Sequence, residues 1–416
     1  MDIVIWYNTF ISIFCVIGEE SFMIRRFKGS YLSYVLVFFF FFFCMAAFSS
    51  VLSVYLTGIG IGVANMARIV SASGIFALFM IPITGYMSDR TRKPRLIGGI
   101  MLICVGIFAM LFSQSRTVAL LFILNGLTMS FISAVQPILE RLAGASKYRY
   151  GILRVWGTIG YAVGAQVAGL IIGTMPSVVL FITILIGGLL CALGFAGAED
   201  PIMDKRKSTE EEPQEKKPAE KIKLSSFLKN PNYLLFLLIT VLFWGASGVN
   251  MTYVPILLRD LGIETSLIGT VIFLSTLVEI PLILFSNKFM DRFSGKSLIF
   301  LACGLTLFEF LVYGLVSVSW VVVTVVILLK AVATTTYVMI VLKIVSNLVA
   351  PELRTTGLSL VNTSNSIGGI IMQNIAGMMV ESLGLSRFYL VLAGMITLSI
   401  ILASFLKVKN DLKVFE

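Results

Sequence analysis

The sequence predicts an all-α integral membrane protein of twelve transmembrane helices in two sets of six. Three observations predict it. The chain is 58% hydrophobic and 13% charged, against roughly 45–50% and about 25% in soluble domains, so it has too few ions to coat a water-facing surface. Apolar stretches of about 20 residues, the length that crosses a bilayer, recur between short polar breaks. Of the 32 Lys+Arg and 22 Asp+Glu, 16 crowd into positions 199–229 and divide the apolar stretches six and six.

The first six spans are read at 31–57, 65–86, 96–113, 118–140, 153–173 and 177–196. The second six fall at 233–258, 266–289, 297–316, 319–346, 357–381 and 388–406. They define an N-terminal bundle (31–197) and a C-terminal bundle (232–407). The linker between them (198–231) contains KRKSTEEEPQEKKPAEKIK, a run too charged to bury and therefore solvated and flexible. A short tail, 408–416, follows. Residues 1–30 form an N-terminal segment that fits poorly. Its apolar run, 3–17, is short of a span, and Arg25 and Arg26 follow that run, whereas a signal peptide places its cations before it. Met23, heading MIRRFKGS, is the expected native start.

Counting cations by loop orients the chain. The N-terminal segment, even-numbered loops, linker and tail carry 25 of the 32 Lys+Arg, and the odd-numbered loops carry only Arg116, Arg259 and Arg387. Because cytoplasmic loops hold the excess of Lys and Arg, both termini and the linker are expected in the cytoplasm, with the protein in the plasma (inner) membrane among lipid. The net charge of +10 then marks a membrane face and needs no nucleic-acid partner. The chain has no histidine, which excludes Ser-His-Asp and Cys-His catalysis and His-bound zinc. Cys15, Cys44, Cys104, Cys191 and Cys303 lie in apolar runs with no paired spacing and read as small buried hydrophobes. No nucleotide loop is present, so the sequence predicts no enzyme and no cofactor. The phenylalanine run Phe38–Phe43 reads as lipid-facing bulk. Gly157, Gly160 and Gly164 read as positions for close helix packing.

A repeat links the halves. After the second span comes Gly85-Tyr-Met-Ser-Asp89-Arg90-Thr-Arg92, and after the eighth comes Asn287-Lys-Phe-Met-Asp291-Arg292, the two Asp-Arg pairs 202 positions apart. An acid at a helix end followed by cations suits an ion-pair latch, and two copies in register are more than a plain basic loop needs. This pattern resembles the Gly-x-x-x-Asp-Arg-x-Gly-Arg signature of the major facilitator superfamily. Arg92 stands in place of the second Gly in the first copy, and Asn287 in place of the first Gly in the second. The resemblance implies two six-helix bundles related by a pseudo-twofold axis, with a site between them served by alternating access. Gly85, Asp89, Arg90, Asp291 and Arg292 are the implied cytoplasmic gating motif.

Two further stretches, 135–169 and 375–394, are similar to the fourth–fifth and eleventh–twelfth helix regions of lactose-permease-like oligosaccharide:proton symporters. In that family a helix-4 Glu, a helix-5 Arg and an aromatic ring hold the sugar. The matching positions are Gln136, Arg154 and Tyr161, so the acid has become an amide and the ring is tyrosine rather than tryptophan. The family's His-x-x-Glu of helix 10 falls at Ala333 and Thr336, and its helix-8 acid falls at Thr276, with Glu279 nearly one turn on. The helix-9 Arg has no Arg counterpart, and Glu309 lies beside its place. Galactoside specificity is therefore not carried over.

Ionisable groups inside a span cost about 2.5–3.5 kcal/mol each on insertion scales, which singles out Arg154, Glu279, Glu309 and Lys330. Arg154 and Tyr161 are seven apart and share a helical face, a cation beside an aromatic plate for a polar ring-bearing ligand; the alternative is that Arg154 neutralises Glu140. Glu279, followed by the helix-weakening Pro281, is a carboxyl in low dielectric that can exchange a proton near neutral pH. Lys330 is its candidate partner with Glu309 as rival, or the ions form a permanent structural pair. Arg68 and Lys343 lie near span ends, where snorkelling to water accounts for them. Asn250, Asn362 and Asn365 are candidate cavity amides. The resulting expectation is a transporter, functional as a monomer, that imports a small polar solute with protons and uses the proton gradient as its energy source. A sugar or oligosaccharide is the first choice of solute and a nucleoside the second. The runner-up is a proton antiporter exporting amphipathic compounds. A membrane enzyme or passive channel fits the two-half repeat less well.

Overall fold

The computed structural model describes residues 27–91, 93–148, 150–199, 230–284, 292–349 and 354–408. Among the described residues twelve helices follow one another and no strand occurs. They are α1 (Tyr31–Gly58), α2 (Val63–Thr91), α3 (Pro94–Gln114), α4 (Val118–Ala145), α5 (Tyr150–Thr174) and α6 (Val178–Gly197). The second set is α7 (Pro231–Asp260), α8 (Thr265–Leu284), α9 (Gly295–Leu315), α10 (Ser319–Leu348), α11 (Arg354–Leu383) and α12 (Leu385–Phe405). Several helices outrun the apolar stretch that announced them, because hydropathy marks the lipid-immersed part while backbone hydrogen bonding continues to the cap. Asn230, for example, accepts from the Tyr233 N–H at 3.2 Å just before Pro231, and Ser294 accepts from the Ser297 N–H at 3.0 Å. Both are N-caps that satisfy otherwise orphaned donors.

Eleven of the helices are long and apolar enough to cross a membrane. The exception is α11, whose 30 residues give ample length but include Asn362, Asn365, Gln373, Asn374 and Glu381. Neighbouring helices bond some of these amides, Ser71 donating to Asn374 and Thr252 to Gln373.

The helix pairings reveal the symmetry. Within the first half α1 packs on α5 and α6, α3 on α4 and α6, and α2 on α4. Adding six to every number gives the second half: α7 on α11 and α12, α9 on α10 and α12, α8 on α10. The cross-half pairs obey the same rule, since α2 on α11 maps onto α8 on α5. The turns repeat as well. After α1 the Gly60 and Ile61 N–H groups donate to Thr57 and Leu56 carbonyls; after α7 the Gly262 and Ile263 N–H groups donate to Arg259 and Leu258. Gly60 and Gly262 have φ of 87° and 83°, a left-handed conformation that closes a helix at little cost only with glycine. They are 202 positions apart, the interval that separates Asp89 from Asp291.

Most of the phenylalanine run is not lipid-facing. Phe38, Phe41, Phe42 and Phe43 are buried in the first half's core, because α1 lies under both α5 and α6 rather than at the rim. Close approach there needs glycine. A Cβ on Gly157 would meet the Phe42 ring at 2.6 Å, and one on Gly164 the Phe43 carbonyl at 2.5 Å. The packing reading of these glycines follows from that geometry.

The halves meet at the odd-numbered-loop end. A Cβ on Gly169 of α5 would lie 2.6 Å from the Gly269 Cα of α8, and one on Gly377 of α11 would lie 2.7 Å from the Ala67 Cβ of α2. Arg259 Nη1 donates to Thr57 Oγ1 at 2.8 Å, and Ser71 Oγ to Asn374 Oδ1 at 3.3 Å. These contacts close one end of the space between the bundles. Toward the other end, α2 leaves Phe79, Ile83 and Tyr86 exposed.

Candidate functional site

A cavity of about 440 Å³ lies between the halves. Its walls follow helical spacing. From α5 come Arg154, Thr158 and Tyr161; from α8 Ile272, Ser275, Thr276 and Glu279; from α10 Lys330, Ala331, Thr334, Thr335 and Val338. Helices α1, α2, α4 and α7 supply mainly small hydroxyls and methionines, among them Ser49, Ser53, Ser73, Met45, Met129 and Met251. Within each set residues recur at intervals of three and four, so one stripe of each helix faces the cavity.

Arg154 places its guanidinium 4.4 Å from the Phe42 ring centroid, a cation–π contact that fixes the group without occupying its N–H donors. Glu140 is not its partner; that carboxylate accepts from Gln136 Nε2 at 3.2 Å on the same helix. Tyr161 reaches Ser49 of α1. Glu279 faces it from α8, with the Thr335 hydroxyl beside the carboxylate and Arg154 within electrostatic reach. Lys330 ends a π-turn, Val326–Lys330, within α10. Such a turn widens the helix locally and is frequent at functional positions; here it ends on a lysine that is 8% exposed and lines the cavity.

Behind the wall lies a buried polar network. Glu309 of α9, 2% exposed, accepts from Asn250 Nδ2 at 2.7 Å, and Asn250 Oδ1 accepts from the Tyr389 hydroxyl at 3.2 Å. Tyr313 stands next to the same carboxylate, and Lys330 lies within its electrostatic reach. The structure therefore brings Arg154, Tyr161, Glu279 and Lys330 to one cavity, and sets Asn250 and Glu309 in a layer behind Lys330. Gln136, Asn362 and Asn365 are not among the lining residues. Gln136 is held by Glu140, and α11 meets the other half through Asn374 and Gly377. Thr252 donates to Gln373 at 3.3 Å, tying α7 to α11.

Of the gating motif, Gly85 is exposed with open space around it, and Arg90 donates to the Tyr86 hydroxyl at 3.0 Å. Asp89 falls in the last turn of α2 and Arg292 is exposed. Asp291, Asn287, Arg92 and Met23 lie outside the described residues, as do most of the linker and the tail. Lys343 does not snorkel: it is 2% exposed and donates to the Phe293 carbonyl at 2.9 Å. Thr335, Tyr313 and Tyr389 carried no sequence signal, since hydroxyls in membrane helices commonly bond their own backbone or a neighbour.

Comparison with known proteins places this architecture. Over 267 residues the chain is 24% identical to the uncharacterized transporter YwbF of Bacillus subtilis, spanning 62% of this chain and 63% of that protein's length. It is 24% identical to the maltose permease of Geobacillus stearothermophilus over 294 residues, 68% of this chain and 70% of the relative. The fold matches the crystal structure of the nucleoside transporter NupG with a TM-score of 0.72 at 16% identity, covering 90% of this chain and 97% of that one. It matches a D-xylose-proton symporter with a TM-score of 0.71 at 12% identity, over 91% and 98% of the two chains. The family model described as the MFS_1 like family matches residues 31–391. With the two-bundle symmetry and nearly the whole helical chain inside that match, the protein belongs to the MFS_1-like family of membrane transporters, which are not enzymes.

Proposed function

We propose that the protein is a proton-coupled symporter importing a small polar solute, a sugar or oligosaccharide first and a nucleoside second, across the plasma membrane. The observation that carries this reading is the convergence of Arg154, Tyr161, Glu279 and Lys330, from both halves, on one cavity. Arg154 and Tyr161 supply hydrogen-bond donors and a stacking plate, and Glu279 is the acid that takes up and releases the proton. The permease relatives and the sugar and nucleoside transporters of like fold support the solute class. With the positive-inside orientation, the closed odd-loop end faces outside, so the structure corresponds to the cytoplasm-facing half of an alternating-access cycle. Both termini are cytoplasmic in this reading, and the monomer is the working unit.

The test uses full-length protein in proteoliposomes. An inwardly directed pH gradient should drive uphill uptake, and Glu279→Gln should abolish that accumulation while leaving counterflow exchange. Undiminished uphill uptake by the variant would end the assignment to Glu279. A second reading, export of amphipathic compounds by proton antiport, is favoured by the methionines Met45, Met129 and Met251 in the wall. Solute-induced acidification of the medium, in place of alkalinisation, would select it.

A further inference from the structure

Lys330 is where the site departs from what a neutral sugar needs. Lys330 is one of the lining residues of the cavity, yet among the described residues no hydrogen-bond acceptor engages its ammonium and no carboxylate stands within ion-pair distance. The acid within its electrostatic reach, Glu309, spends an oxygen on Asn250 and lies outside the lining. Arg154 is in the same condition: its planar contact is the Phe42 ring, and its N–H donors meet no acceptor among the described residues. A membrane-buried ammonium with three unused donors is costly to keep, and the π-turn that ends at Lys330 shows the helix departing from regular geometry to place it.

The charge count identifies what is missing. Arg154 lies within electrostatic reach of Glu279, and Lys330 within reach of Glu309 behind the wall. With both acids ionised the four groups sum to zero. When Glu279 takes the coupling proton, one positive charge is left in the cavity beside unused donors. A single carboxylate restores the balance, whereas a doubly charged phosphate overshoots it and a neutral sugar leaves it unmet.

We infer that the transported solute carries a carboxylate, held by Lys330 and Arg154, and that it travels with one proton as a neutral sum. Tyr161, Phe42 and the methionines then cover the uncharged body of the solute, as in a sugar acid or an aryl glycoside of one. This inference rests on the symport reading and narrows its substrate class.

The experiment compares matched pairs, methyl β-glucoside with methyl β-glucuronide and phenyl β-glucoside with phenyl β-glucuronide, on wild type, Lys330→Gln and Lys330→Arg. Thermal shift on purified protein reads binding, and proteoliposome uptake reads transport. Glucuronides should protect wild type with at least tenfold lower apparent Kd than the glucosides. Lys330→Gln should shrink that preference to within twofold, and Lys330→Arg should keep most of it. A monodisperse profile and a cooperative thermal unfolding transition in Lys330→Gln separate lost recognition from misfolding. Uptake of the acid should respond to a pH gradient and not to a potassium–valinomycin potential, since one anion with one proton moves no charge. Equal or tighter binding of the neutral member overturns the inference, as does a preference that survives Lys330→Gln or protection by no acid. Uptake that responds to both gradients overturns the carboxylate while leaving symport standing; uptake of either member that ignores the pH gradient overturns symport itself.

Discussion

Glu381, near the end of α11, places its Oε1 2.8 Å from the backbone nitrogen of Ala64 in the first turn of α2, so a carboxylate of one half caps a helix of the other. The first-turn N–H groups of a helix lack internal partners and carry its positive pole, and an anion there stabilises by about 0.3–1 kcal/mol, up to ~2 when partly buried. Because the cap joins the halves, its energy belongs to the closed state of this end. Glu381→Ala should shift the conformational balance toward opening there by about fivefold, the equivalent of ~1 kcal/mol. A cysteine at Ser73, inside the cavity, should be labelled from the odd-loop side about five times faster in that background. Unchanged labelling would mean the cap does not hold the closure.

Gly169 and Gly269 make the corresponding seam between α5 and α8, where backbones touch with no side chain between them. Overpacking such a contact costs roughly 1–3 kcal/mol. Gly269→Val should prop this end apart and lower uptake by roughly tenfold, while labelling at the Ser73 position from the odd-loop side rises. Uptake within twofold of wild type would show that closure tolerates a wider seam.

Asn250 is the neutral bridge of the buried network, donating to Glu309 and accepting from Tyr389. Hydrogen bonds to charged groups contribute about 1.5–3 kcal/mol. Asn250→Leu should destabilise the protein by about that amount, measured by unfolding of the purified protein. The double variant Asn250→Leu with Glu309→Gln should recover part of the loss, because the buried charge no longer lacks its donor. Strict additivity would place the two residues in separate energetic units.

Phe42 positions Arg154 from below. Losing a cation–π contact of about 0.5–2 kcal/mol should let the guanidinium wander. Phe42→Leu should raise the apparent KM for the solute several-fold and leave the maximal rate nearly unchanged. A fall in maximal rate with KM constant would assign Phe42 to helix packing instead.

Much of this protein was legible in one dimension. Lipid as solvent demands long apolar runs and punishes stray charge, so the long helices and the four exceptional ions within them could be read from residue order alone. The 202-position spacing of Asp89 and Asp291 belongs to a repeat that extends to Gly60 and Gly262, which share turn geometry more than local sequence. What the sequence could not determine was which face of each helix looks where. Phe38, Phe41, Phe42 and Phe43 are as apolar as any lipid-facing residue, and only the packing of α1 beneath α5 and α6 made them core. Arg154, Glu279 and Lys330 were each conspicuous, but their convergence depends on helices from both halves meeting across the pseudo-twofold axis. The pairing of Glu309 with Asn250 rather than directly with Lys330 depends on side-chain reach between α7 and α9. Hydropathy constrains each helix separately; contacts between helices distant in sequence are decided only when the close-packed bundle forms.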